Sequence, residues 1–127
     1  MLRITPINDE AVKGSWTKYR GVDLQVARAN NPEFDKLFSN LTRPHKYQMD
    51  KGILDDKTME AILCEAVGTC IVVGWKNFKV DGKEVKYSKE NSISLMTNDP
   101  DCRRFVQEYS SEVENFVKEA EEAIKGK

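Results

Sequence analysis

Val73–Met96, VGWKNFKVDGKEVKYSKENSISLM, is the stretch on which the fold turns. A helical pattern runs into it, Gly74 reads as the helix stop, and Trp75 follows at once. A large aromatic directly after a helix stop reads as a core anchor. Asp81-Gly82 lies between Phe78 and Val80 on one side and Val85 and Tyr87 on the other, a hairpin signal that would set Phe78 opposite Val85. An irregular loop packed around Trp75 and Phe78 is the alternative. Ser88 can cap a short helix running through Met96, with Ile93 and Leu95 as its apolar positions. The stretch reads as a structural joint between two helical halves and carries nothing that resembles a catalytic site.

The half before the joint opens with residues 1–14, a polar lead-in expected to be loosely ordered. Val22, Leu24 and Val26 alternate with polar residues as a half-buried strand does, and Arg20-Gly21 offers a tight turn back to a shorter run with Trp16 and Tyr19. A lone hairpin is marginal in water, so this one is expected to lie on helices. Asn31-Pro32-Glu33 is a helix start: a capping side chain, a proline that fits the first turn, and an acid at the positive end of the dipole. Phe34, Leu37, Phe38 and Leu41 then follow the spacing of one helix face, and Arg43-Pro44 ends the run. Asp55 and Asp56 open the next helix, expected to be the most buried and to run as far as Val73. Gly68 inside it costs about 1 kcal/mol against alanine, a cost that a close helix crossing would explain.

The half after the joint starts at Asp99-Pro100-Asp101, a second cap-proline-acid signal. Cys102, Val106, Tyr109, Val113, Phe116, Ala120 and Ala123 recur at spacings of four and three, and Phe105, Val117 and Ile124 widen the stripe. Ser110-Ser111 is its one weak point. A helix of roughly 25 residues would span about 37 Å, more than the roughly 28 Å expected across a domain of this size. Its outer part should therefore outrun the core, which makes Phe105, Tyr109, Phe116, Val117 and Ile124 the candidate partner-binding residues, for another protein or for self-association. The expected fold is mainly α with a small β component: one helical domain over residues 15–127, one or two short hairpins, a long C-terminal amphipathic helix, and a tail fraying over 120–127.

Composition narrows the function. With 20 basic and 21 acidic side chains the formal net charge is −1, without the basic surplus that sequence-independent nucleic-acid binding needs. No apolar run approaches the roughly 20 residues of a membrane span, and the first residues lack a secretory signal pattern. Cys64 and Cys70 would lie about 9 Å apart along one helix, too far for a disulfide. With Cys102 they read as small core hydrophobes in a reducing compartment. Cys102 falls in the first turn of a helix, where the dipole favours a thiolate, yet it also lies on the apolar stripe, and packing is the stronger reading. His45 is the only histidine and has neither a second metal ligand nor a nucleophile beside it. Trp16 and Trp75 are expected in the core rather than on a ligand platform. No acid, base or nucleophile cluster emerges. The expectation is a non-enzyme with no cofactor, no metal, no small-molecule substrate, no nucleic acid and no membrane.

Three pieces together resemble the tail assembly chaperones of long-tailed, siphovirus-type bacteriophages: KYRGVDLQVARANNPEFDKLFSNL, ILCEAVGTCIVVGWKNFKVDGKEVKYSKENSISLM and FVQEYSSEVENF. They span residues 18–116, and the middle piece, with its Gly-Trp joint, acidic-Gly turn and Ser-x-Glu-Asn opening, is the most specific. The resemblance implies a mostly helical protein of the host cytoplasm that binds the tape measure protein, keeps it soluble, helps recruit the tail-tube protein, and is missing from the mature virion. Such proteins are often made in two lengths by a programmed ribosomal frameshift, and the closing Lys-Gly-Lys can be encoded with a slippery GGGAAAA run. The resemblance carries no catalytic residues. The competing reading is a structural tail or head-tail joining subunit, a class generally richer in β structure.

Overall fold

A computed structural model describes residues 14–29, 31–112 and 115–116. Of the expected lead-in over 1–14 only Gly14 is described, and the tail over 120–127 lies outside the described residues. Strands β1 (Ser15–Tyr19) and β2 (Val22–Val26) form an antiparallel hairpin in the register Tyr19↔Val22 to Ser15↔Val26. Arg20 and Gly21 both take positive φ, 48° and 84°, as a two-residue hairpin turn requires. Helix α1 (Pro32–Thr42) starts where its cap signal stands: Asn31 Oδ1 accepts the Phe34 N–H at 2.9 Å. A 3₁₀ turn (Arg43–His45), helix α2 (Lys46–Asp50) and helix α3 (Asp56–Cys70) follow.

The fold departs from the expected one at both ends of the deciding stretch. The helix before it stops at Cys70, and Val72–Lys76 is strand β3, not the end of a helix. It pairs antiparallel with β2, completing a three-stranded sheet in the order β1-β2-β3. Gly74 therefore sits inside a strand rather than ending a helix, opposite Gln25, where a Cβ would come within 2.6 Å of Gln25 Oε1. The hairpin of β1 and β2 does not merely lie on helices; it is two thirds of the central sheet. Hydrogen bonds from elsewhere in the chain explain the early stop. The Cys70 carbonyl accepts from Asn31 Nδ2 at 3.2 Å, the Ile71 carbonyl from the Ala27 N–H at 2.7 Å, and the Val72 carbonyl from the Tyr87 hydroxyl at 2.7 Å.

Asp81-Gly82, with φ of 52° and 78°, turns between β4 (Lys79–Val80) and β5 (Lys83–Glu84). The Val85 N–H reaches the Phe78 carbonyl at 2.8 Å, so the two face each other as the turn signal requires. Trp75 is buried beneath this hairpin, with Phe78 and Tyr87 each 5.0 Å away and its indole N–H donating to the Val85 carbonyl at 2.8 Å. Helix α4 (Lys89–Asn98) begins at Ser88, whose hydroxyl accepts the Asn91 N–H at 3.0 Å. It crosses α3 at Gly68, where a Cβ would lie 2.8 Å from Ile93 Cα, so glycine is what permits this approach.

Helix α5 (Pro100–Ser111) is capped by Asp99, whose carboxylate accepts the Cys102 N–H at 3.0 Å. It is 12 residues long, and Glu112 after it is extended, with φ −87° and ψ 104°. The long, unbroken C-terminal amphipathic helix expected from the spacing is thus absent; the heptad stripe is interrupted one turn past Val106. Its last carbonyls are taken by groups outside the helix. Asn115 Nδ2 donates to the Tyr109 carbonyl at 2.9 Å, and the Ala29 N–H to the Ser110 carbonyl at 2.9 Å. The Ser110 and Ser111 hydroxyls both turn back on the Gln107 carbonyl, the local competition that makes serine a poor helix interior. The described architecture is a three-stranded antiparallel sheet packed on α3, α4 and α5, with Leu24, Val26, Val72, Met96 and Val106 at its centre.

Candidate partner-binding surfaces

The candidate residues on the C-terminal stripe separate into two groups. Phe105 and Tyr109 lie on α5, half-buried, with ring centroids 6.2 Å apart; Phe116 is buried and meets Tyr109 at 6.1 Å. Tyr19 of β1 extends the row, 5.1 Å from Phe105, and the Tyr109 hydroxyl shares a 2.6 Å hydrogen bond with the Ser15 hydroxyl. These aromatics join α5 to the sheet, and Phe105 and Tyr109 stay only partly buried. Val117 and Ile124 lie outside the described residues.

A second apolar surface lies where no candidate residue was placed. No residue of α1, of the 3₁₀ turn or of α2 is buried, although Phe34, Leu37, Phe38 and Leu41 make a regular apolar stripe. Each of those four is only half-covered, by α3, and Phe34 and Phe38 stack at 5.7 Å. Tyr47 and Ile53 just beyond are open to solvent at 67% and 65%. The signal was present: a stripe complete over eight residues is followed by a polar connection that nonetheless holds Tyr47 and Met49, with Ile53 just after it. Periodicity reports that a face is apolar, not what covers it.

Trp16 corrects a further expectation. Trp75 is in the core, but Trp16 stands on the outer face of the sheet, 43% exposed, with the Lys76 ammonium 4.7 Å from its ring. A shallow depression of about 410 Å³ lies here, lined by Trp16, Thr17, Lys18, Asp23 and Lys76. Asp23 accepts from Asn77 Nδ2 and lies 3.7 Å from Lys18 Nζ.

A smaller cleft, about 150 Å³, opens among Tyr19, Val22, Leu24, Phe78, Leu95 and Cys102. Burial pushes the Cys102 thiol up to about 12, with Asp99 adding to the shift and Arg20 opposing it. The thiol therefore stays protonated at neutral pH, and the packing reading of Cys102 is the one its surroundings favour over a reactive thiolate. Cys64 and Cys70 are free and buried as well. Among the described residues no group of three metal-ligating side chains comes together, and no helix is long and apolar enough to cross a membrane.

No curated protein and no solved structure matches the chain. The family described as YdaY prophage protein matches residues 29–127, which spans α1 through α5 and covers well over half of the sequence. The chain therefore belongs to the YdaY prophage protein family and is of phage origin.

Proposed function

We propose that this prophage protein is a tail assembly chaperone: a non-enzyme that binds the tape measure protein in the host cytoplasm, keeps it soluble, and helps recruit tail-tube subunits without entering the mature virion. The observation that carries this reading is the α1 face. A stripe of Phe34, Leu37, Phe38 and Leu41 with no buried member, continued by exposed Tyr47 and Ile53, is apolar surface without a complete cover. Apolar surface of that kind marks interaction sites, and its helical spacing suits an amphipathic helix laid alongside it. Long apolar helical partners are what a tape measure offers. Phe105 and Tyr109, with Phe116 behind them, form a second candidate contact on another side of the sheet.

Co-expression with the tape measure protein of the same prophage tests this. The wild-type chain should convert an insoluble partner into a soluble complex. Phe38→Asp should lower recovery of that complex at least tenfold while the unfolding midpoint stays put. A tape measure protein that remains insoluble beside the wild-type chain would sink the chaperone reading; full recovery with Phe38→Asp would move the contact away from α1. The competing reading, a structural tail or head-tail joining subunit, is favoured by the three-stranded antiparallel sheet at the core. Mass spectrometry of purified virions separates the two: a subunit is present in fixed stoichiometry, a chaperone is not.

A further inference from the structure

We propose that β1 is a pairing edge for a second copy of this chain, joining two three-stranded sheets antiparallel about a two-fold axis at Thr17. The hairpin register leads to this edge. In a two-residue hairpin the pair flanking the turn, here Tyr19 and Val22, exchanges both backbone hydrogen bonds, and bonded pairs then alternate along the ladder. Ser15, Thr17 and Tyr19 thus spend their backbone groups on β2, and those of Trp16 and Lys18 point off the sheet. No hydrogen bond from the described residues reaches these outward groups. At the opposite edge a backbone group is already taken: the Tyr87 hydroxyl donates to the Val72 carbonyl of β3.

The open edge is its own complement. The outward groups stand at positions 16 and 18, symmetric about Thr17. A copy laid antiparallel with Thr17 against Thr17 sets Trp16 opposite the second copy's Lys18, and the reverse, so both N–H and both C=O groups on each strand find partners. Trp16 and Lys18 share the outer face of the sheet. Each indole then meets the stem and ammonium of a lysine across the new ladder, a favourable cross-strand pair, and no lysine of β1 faces its own copy. Asp23, beside Lys18 at 3.7 Å, supplies countercharge. Trp16, 43% exposed in mid-strand, is the kind of side chain that anchors interfaces. This inference stands apart from the chaperone reading, which rests on α1.

Pairing through one five-residue strand is expected to bury less than the roughly 1,200 Å² of stable pairs, so association is expected in the micromolar range, on the order of 10–100 µM. Sedimentation velocity on the full chain, from about 5 to about 500 µM, spans that range. Emission from Trp16 should shift to the blue as the dimer forms, against the constant background of buried Trp75. Lys18→Pro removes one outward N–H and no bond to β2, a substitution that edge strands tolerate. Trp16→Lys sets lysine across from lysine. Both variants should weaken association at least tenfold with unchanged circular dichroism. If Lys18→Pro misfolds, Trp16→Lys alone decides. A wild-type chain that stays monomeric throughout the range overturns the proposal and leaves Lys18 as a guard against edge pairing; so does a dimer whose strength both folded variants keep within twofold.

Discussion

The core around α3 and the segment from α1 to α2 are two different kinds of region. Helix α3 contributes Ile62, Cys64, Ala66, Val67, Gly68 and Cys70, all buried, to a core closed by the sheet, α4 and α5. The α1–α2 segment starts against that core, where Asn31 reaches the Cys70 carbonyl, yet α1, the 3₁₀ turn and α2 bury not a single residue. Both regions carry regular apolar stripes, so apolarity is not what separates them. The difference is coverage: one stripe meets neighbours on every side, the other on one. The first kind of surface holds a fold together, and the second is available to a partner.

Truncating a core residue should separate the regions most sharply. Leu24→Ala, at a site 1% exposed, is expected to cost about 3 kcal/mol in urea unfolding. Ile53→Ser in the open region should stay within about 0.5 kcal/mol. Equal losses would erase the distinction. Gly68→Ala comes next: the added methyl meets Ile93 backbone, and a net loss of about 2 kcal/mol is expected even though alanine is the better helix former. A stabilised variant would show that α3 and α4 can separate freely.

Asn31 joins the regions and sharpens the comparison. It is buried, caps α1, and donates to the Arg28 and Cys70 carbonyls at 2.8 and 3.2 Å. Asn31→Ala should cost about 2 kcal/mol, part of it the cap and part the abandoned Cys70 carbonyl. Asn31→Asp keeps the cap but turns an acceptor toward two carbonyls; if it matches wild type, the cap alone matters.

The smallest effect is with alkali. Cys102 titrates at about 12 in the folded chain against 9.0 for a free thiol. Below pH 9 both states hold the proton and stability is indifferent to it. Above pH 9 the unfolded chain releases a proton that the folded chain retains, so stability should fall as pH rises toward 12. Burial raises Cys70, Tyr19 and Tyr87 in the same direction. Urea midpoints should change little between pH 8 and 9 and decline by pH 10, less steeply in Cys102→Ala. Residues 31–55 hold no cysteine, so this loss is one of the core.

Local chemistry was legible wherever the deciding interaction spans a few residues. Asn31, Ser88 and Asp99 each accept the N–H three positions on, and Arg20-Gly21 and Asp81-Gly82 each make the turn their residue types favour. The candidate surface was legible only in part. The α1 stripe could be read, but its lack of cover could not, since cover is supplied or withheld by residues distant in the chain. For the same reason Trp16 and Trp75 look alike in sequence and stand on opposite sides of one sheet.

By itself, then, the sequence determined where α1, α3, α4 and α5 begin, where hairpins turn, and which residues are apolar. Tertiary structure decided where α3 and α5 end. From Val67 to Val73 and from Val106 to Phe116 the apolar spacing continues as if the helix did too, because spacing reports which side chains seek burial and is silent on where carbonyl groups find donors. The carbonyls of Cys70, Ile71, Tyr109 and Ser110 are claimed by Asn31, Ala27, Asn115 and Ala29, three of the four by groups more than 35 positions away in the chain. A backbone acceptor filled by a distant donor is no longer available to the next turn, and that competition, which only the folded chain can stage, sets the shape of this protein.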